Sequence, residues 1–407
     1  VIEISGYLAK SSELIGNFAG SIECTDKALS LIDSNDMPLE KAILCSAKLE
    51  PLFKLGKFNE AVMTAKNSVL PILQGAIQNK VSIEGLEFSE LNQLELDAEL
   101  ILVKALALQG NQECIKYAEA LIQKLRKLKL TDIEVQVQLI LAFFRVLQGD
   151  NNFTSAVLVN TRDYIEQPGI DPLLTIMWQA VNIINEIVSG KLEKLKFELN
   201  DIKLLSEANK KYNISVIAKS LEGLILKNQG EYDKARLIFH DLINYSSENK
   251  LATCALLLWY LIADLDIAES NIQSAITIAE KALEVAMNPN IDNYIFQLLL
   301  RKLIAEAYLI LGDTDAAKMH TEQAIELART HNITILMVEL YLLYGKIFKK
   351  LAETSEINRQ DNIVTAQKMY KKSLDIANNQ SYNNITFKVD AEINKLAAFC
   401  NDIGMSF

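Results

Sequence analysis

The chain has 407 residues, of which half are apolar and only 6 are proline, with 52 acidic against 41 basic side chains and a formal net charge of -11. That length allows a large core or several domains, the residue usage favours helices, and the acidic balance excludes broad binding to phosphate backbones, which such a surface repels. The 5 cysteines, Cys24, Cys45, Cys114, Cys254 and Cys400, are far apart and form no CxxC pair. They read as reduced, small apolar side chains of a cytoplasmic protein and not as a disulfide framework. The longest apolar run, Cys254 to Ala263, stops at Asp264, at about half the length of a membrane span. No basic-then-apolar leader opens the chain, which begins at Val1; a piece of a longer protein is the expectation.

Taken in order, the chain repeats itself. Gly16-Asn17-Phe18 opens the series. Gly56-Lys57-Phe58 follows with Ala61 behind it, then Gly110-Asn111, Gly149-Asp150 and Gly190-Lys191. Gly230-Glu231-Tyr232 carries Ala235 and Phe239, Ser270-Asn271-Ile272 carries Ala275, Ala279 and Ala282, and Gly312-Asp313 carries Ala317 and Ala324. A ninth copy keeps Ala366, Tyr370 and Ser373. Gly16 to Gly56 is 40 residues and Gly110 to Gly149 is 39, and the next four intervals are 41, 40, 40 and 42. Two intervals are longer, 54 from Gly56 to Gly110 and 49 from Gly312 to Asp361.

Each unit reads as two helices, because apolar residues recur at three- and four-residue steps on both sides of the glycine. The glycine accepts positive φ at the end of the first helix, and the polar residue after it caps the second. Ala235, Ala275 and Ala317 let helices approach closely, while Phe58 and Tyr232 plug the hairpin. Between about Pro71 and Leu91 a lengthened helix and a loop interrupt the array. Residues 353–360 read as a polar loop insertion, and 384–403 as a last helix capping the open end of the core. The expected architecture is all-α: one continuous right-handed superhelical solenoid over 1–407, of about nine hairpins plus the C-terminal capping helix.

This pattern resembles the tetratricopeptide repeat. Gly223, Ala263, Ala305 and Gly345 fit that family's small residue in the first helix, and Trp259 and Tyr341 stand four residues before two of them. The family's usual period is shorter, about 34 residues; a period near 40 resembles the helical-repeat arm of MalT-like bacterial regulators, and the longer repeats of kinesin light chains are a second resemblance. The resemblance implies first helices lining a concave groove that holds a protein or peptide. It implies the sensor arm of a signal-transduction or transcription regulator, with a small-molecule inducer as a further class of ligand. A free-standing adaptor or peptide-sensing protein is the alternative.

Chemistry-bearing motifs are sparse. His240, His320 and His331 form no HExxH, HxH or Cys/His cluster, so no metal is expected. Neither GxGxxG nor GxxxxGK[ST] occurs, so no nucleotide cofactor is expected. The pairs Glu95/Asp97 and Asp264/Asp266 suit solvated helix faces better than catalysis. The basic cluster Lys124, Arg126, Lys127 and Lys129, like Lys210-Lys211 and Lys349-Lys350, lies at a helix end, where cations complement the dipole. No catalytic residue is assigned, and the reading is of a non-enzyme; an enzyme with a dispersed site is the contrasting class. No membrane and no nucleic acid is expected as a partner of this segment. The candidate partner-binding residues of the first helices are Glu50, Lys104, Tyr260, Asp264, Lys302 and Glu306, with Lys346 and Lys349 from the next unit.

Overall fold

A computed structural model of the chain describes residues 17–32, 37–81, 87–189, 204, 212–248, 252–289, 291, 293–379 and 383–403. Among the described residues the regular structure is all helix, in consecutive hairpins. The first helices in order are α1 (Phe18–Ser30), α2 (Pro38–Ala47), α3 (Leu49–Lys54), α4 (Phe58–Met63), α5 (Leu70–Gln78), α6 (Phe88–Gln109) and α7 (Glu113–Leu128). Then come α8 (Thr131–Leu147), α9 (Asn151–Ile165), α10 (Pro172–Val188), α11 (Tyr212–Asn228), α12 (Tyr232–Glu248) and α13 (Ala252–Ala268). The series ends with α14 (Ile272–Ala286), α15 (Tyr294–Leu311), α16 (Thr314–Thr330), α17 (Thr334–Thr354), α18 (Arg359–Asn379) and α19 (Asn383–Asp402).

The turns form as their residues dictate. Gly56, Gly110, Gly149, Gly230 and Gly312 take φ between 75° and 86°. The amide after each donates to the carbonyl five residues back, as Asp150 does to Arg145 at 2.9 Å and Asp313 to Tyr308 at 3.0 Å. This closes the first helix of each hairpin. The same aspartates then cap the next helix, Asp150 Oδ1 accepting from Phe153 N and Asp313 Oδ1 from Ala316 N, both at 3.0 Å. Ser270 takes the glycine's place at φ 65°. The turns read at Gly16 and Gly190 lie outside the described residues.

Two prolines explain the irregular N-terminal helices. Pro71 has no N–H and crowds the carbonyl four residues before it, and the stretch just ahead, Thr64–Val69, widens into a π turn between α4 and α5. Pro51 follows the break at Lys48 between α2 and α3. The link from α17 to α18 is 355–358, with Asn358 at φ 56° and Arg359 Nε donating to the Ala352 carbonyl at 3.0 Å.

Packing follows the small positions. Ala235, Ala275 and Ala317 are fully buried. Phe58 is fully buried too, whereas Tyr232 is only half-buried. A Cβ on Gly223 would strike the Phe239 ring, and one on Gly345 would strike the Tyr370 ring. The equivalent pairs in the two intervening hairpins are Ala263 with Ala279 and Ala305 with Thr321, all fully buried. Glycine therefore stands where the second helix presents an aromatic ring, and alanine where it presents a small side chain.

The chain forms two compact units. The first comprises 1–141, 243–256 and 285–293, and its core includes Ile22, Leu52 and Ala61. The second comprises 142–242, 257–284 and 294–407. One of its cores runs through α10 and α11 on Ile176, Ile183, Ala218 and Ile225. Another core spans α15 to α19, reaching Val389, Leu396 and Cys400 of the last helix. Within this unit the turn after α8 meets the start of α17. Leu147 packs against the core that contains Ile333, and Thr334 Oγ1 donates to the Gln148 carbonyl across 186 residues of sequence.

Candidate functional site

The predicted site residues fall in both units. In the first, Glu50 on α3 holds Lys54 of its own helix at 3.1 Å. Lys104 stands on α6, where burial pulls its ammonium below the ordinary lysine range and Glu50 opposes that pull. Lys124 bridges Glu95 at 2.7 Å and Glu99 at 2.9 Å, so Glu95 of the Glu95/Asp97 pair is an ion-pair partner of the basic cluster, whereas Asp97 accepts from Gln93 at 2.8 Å.

In the second unit the remaining six lie on successive first helices. Tyr260 and Asp264 are on α13, Lys302 and Glu306 on α15, and Lys346 and Lys349 on α17. Asp264, Glu306 and Lys346 hold one repeat position, each immediately after the small residue. Tyr260 lies within electrostatic reach of Asp264, Lys302 and Glu306, so α13 and α15 present neighbouring polar groups. Asp264 pairs with Lys227 of α11, Glu306 with Lys302 one helical turn away at 3.0 Å, and Lys349 with Glu353 at 3.0 Å. As Asp264 joins α13 to α11, Glu339 joins α17 to α15, its Oε2 lying 2.9 Å from Lys302 Nζ.

Electrostatics centre on that pair. Burial would lower the Lys302 ammonium, but Glu306 and Glu339 outweigh it and hold its pKa well above the ordinary value. Burial would raise Glu339, but Lys302, then Lys388 and Lys346, hold its carboxyl below the usual range. Tyr260 is pushed up by burial and by the Asp264 carboxylate, so it acts as a neutral hydroxyl. Lys346 and Lys388 have no ion pair or hydrogen bond of their own among the described residues, and Lys388 is exposed. Lys302 thus contacts Glu339 directly, and Lys388 and Lys346 act on it from further off.

The other acidic pair is split. Asp264 links α13 to α11 through Lys227, whereas Asp266, only 2% exposed, is held by Arg236 Nη2 at 2.6 Å and Ser274 Oγ at 2.6 Å. Among the described residues no group of three His, Cys, Asp or Glu side chains is placed to hold a metal ion, and no helix is long and apolar enough to cross a membrane. All five cysteines are free thiols, and burial pushes Cys45 up.

His320 is a buried histidine whose Nδ1 has no hydrogen-bond partner. It is 8% exposed on α16, lies against Tyr308 with ring centroids 6.0 Å apart, and Tyr308 in turn donates to Glu280 Oε1 at 2.9 Å. Burial first, and then Arg301, lower its pKa, with Glu280 opposing. The unfolded chain therefore accepts a proton that the folded chain resists. Stability is expected to fall as pH drops from the ordinary histidine value towards the folded one, and to level off below it. Urea titrations between pH 7 and pH 4.5 on the wild type and His320→Gln check this. An unchanged slope in the variant would assign the loss to other groups.

Helical hairpins with glycine turns, small-residue contacts and charged first helices define a helical-repeat protein. Residues 303–331, which span the second half of α15, the Gly312 turn and α16, match the family model described as Tetratricopeptide repeat. No curated protein matches the chain. Among solved structures, one chain in the crystal structure of the APC/C hetero-tetramer Cut9-Hcn1 aligns over 96% of this chain and 90% of that one, at 12% identity. Its TM-score is 0.27, too low for the two chains to share one superposable shape.

Proposed function

We propose that this chain is a protein-binding helical-repeat scaffold and that the first helices of its second unit hold an acidic, extended peptide segment. The observation that carries this reading is that Lys346 and Lys388, without an ion pair or hydrogen bond among the described residues, act electrostatically on Glu339 beside its pair with Lys302. A peptide carboxylate placed between them gains two charge-assisted hydrogen bonds without breaking an existing ion pair. Asp264 and Glu306, already paired, serve to position Lys227 and Lys302 and are not the first contacts. A period near 40 supports placing this segment as the partner-binding arm of a larger signal-transduction or transcription regulator, with a small inducer as a second ligand class.

The test is selection from a library of random linear peptides on the immobilised chain. Acid-rich peptides are expected to be enriched, and Lys346→Gln with Lys388→Gln is expected to abolish their binding while helicity is kept, with melting measured on the variant because both lysines help to hold the Glu339 carboxylate. Enrichment of no peptide over an unrelated helical protein, or undiminished binding by the double variant, would sink the reading.

A further inference from the structure

The second unit contains an edge-to-edge contact with a recognisable pattern. One side is the socket Leu147-Gln148-Gly149, the end of α8 and its turn. The other is the knob Asn332-Ile333-Thr334, the connection from α16 to α17. Gly149 has φ 85°, with its amide on the Val146 carbonyl at 3.0 Å and the Asp150 amide on Arg145 at 2.9 Å. Asn332 has φ 51°, donating to Arg329 at 3.2 Å, and the Ile333 amide donates to Ala328 at 2.9 Å. Leu147 packs against the core holding Ile333, which is 2% exposed, and Thr334 Oγ1 donates to the Gln148 carbonyl.

The same turn geometry recurs at Gly56, Gly110, Gly230 and Gly312, and a left-handed non-glycine residue also closes a helix at Lys80 and Lys129; among these described turns, one carries two large exposed apolar side chains and one is followed by an exposed threonine. The former, a second socket, is Ile310-Leu311-Gly312, the end of α15. Gly312 has φ 86°, with its amide on Leu309 at 3.1 Å and the Asp313 amide on Tyr308 at 3.0 Å. Ile310, in the place of Leu147, is 58% exposed, and Leu311, in the place of Gln148, is 52% exposed. The latter, a second knob, is Lys129-Leu130-Thr131, the connection from α7 to α8. Lys129 has φ 59°, donating to Arg126 at 3.2 Å, and the Leu130 amide donates to Leu125 at 3.1 Å, spacings identical to those at Asn332 and Ile333. Leu128 beside it is 51% exposed, and Thr131 is exposed.

Charge matches the apolar surfaces. Lys127 and Lys129, together with Asp132, flank the knob, and Asp313 and Asp315 flank the socket, all exposed. The basic cluster at the end of α7, which the ion pairs of Lys124 and Arg126 only partly absorb, thereby acquires an acidic counterpart. We propose that this chain associates head to tail: the Lys129-Leu130-Thr131 knob of one copy seats on the Ile310-Leu311 socket of a second copy, with Thr131 donating to the Leu311 carbonyl as Thr334 does to Gln148. The contact is heterologous, so each copy retains one free knob and one free socket, and association continues as the concentration rises.

Sedimentation equilibrium over a range of protein concentrations tests this. The wild type is expected to pass from the 45.6 kDa of one chain to twice that mass and beyond, with association weakened by salt. Leu128→Lys, which spoils the knob, and Ile310→Lys with Leu311→Lys, which spoils the socket, should each sediment as one chain. Mixed in equal amounts, the two variants restore one sound interface and should form a complex of two chains that goes no further. All substituted positions are at the surface, and circular dichroism with melting confirms that each variant is folded. A wild type of one-chain mass throughout, a dimer indifferent to either variant, or a mixture that fails to pair would each overturn the proposal; the last two would indicate a symmetric contact elsewhere.

Discussion

Replacing Gly345 with alanine is expected to destabilise the chain by about 1–3 kcal/mol, the usual cost of overpacking a close contact, and the loss should shrink when Tyr370 is made smaller. A Cβ at position 345 has no room, because the Tyr370 ring lies across the glycine and both residues are deep in the α17–α18 contact. Tyr370 is fully buried and cannot swing out to solvent. The protein already contains the compensated version, since Ala305 stands opposite Thr321 at the same places one hairpin earlier. Tyr370→Thr alone leaves a cavity and should cost about 3–5 kcal/mol, as truncations of buried aromatics do. In the double variant Gly345→Ala/Tyr370→Thr the added methyl group occupies part of that cavity. The two effects should therefore fall short of additive by about 0.5–3 kcal/mol, the coupling usual for residues in contact. Urea denaturation of the four proteins gives the cycle, and additive losses would show that the two positions do not share one space.

The same pairing shows why the hairpins were readable in the sequence. The glycine, its polar follower and the small residue seven positions before it are local signals: each is fixed by a backbone angle or by a contact inside one hairpin, and each recurs. Phe239 and Tyr370 repeat at one place in their units, and Gly223 and Gly345 answer them. Contacts between hairpins leave no such trace. Asp264 pairs backwards with Lys227, and Lys302 pairs forwards with Glu339, because the stagger between neighbouring first helices decides which side chains meet. Glu339 lies six residues before Gly345, where the preceding unit has Leu299, so no repeating position marks it. The Thr334 to Gln148 contact is further still from any local signal, yet once seen it gives meaning to Lys129-Leu130-Thr131, a motif that in sequence is only a helix end with basic neighbours.

Asp266→Ala is expected to be the most damaging single change of a charged residue, at about 3 kcal/mol, by the rule that removing one partner of a buried ion pair strands the other. Asp266 sits in the last turn of α13, where the helix dipole disfavours an anion, and is almost without solvent. Three elements converge on it. Arg236 of α12 reaches both Asp266, at 2.6 Å, and Glu269, and Ser274 of α14 donates to the other carboxylate oxygen at 2.6 Å. The network thus clamps one hairpin's second helix to both helices of the next. It also encloses the turn in which Ser270 takes the left-handed conformation that glycine holds elsewhere, a substitution that costs about 1–2 kcal/mol. Asp266→Asn should lose less, since the amide still accepts from Ser274 and Glu269 still engages Arg236. Ser270→Gly should return about 1 kcal/mol in the wild type by removing the Cβ strain. Chemical denaturation of the three variants distinguishes these effects. A loss below about 1 kcal/mol for Asp266→Ala, the size expected of a surface pair, would mean that the hairpins are joined by their apolar contacts alone.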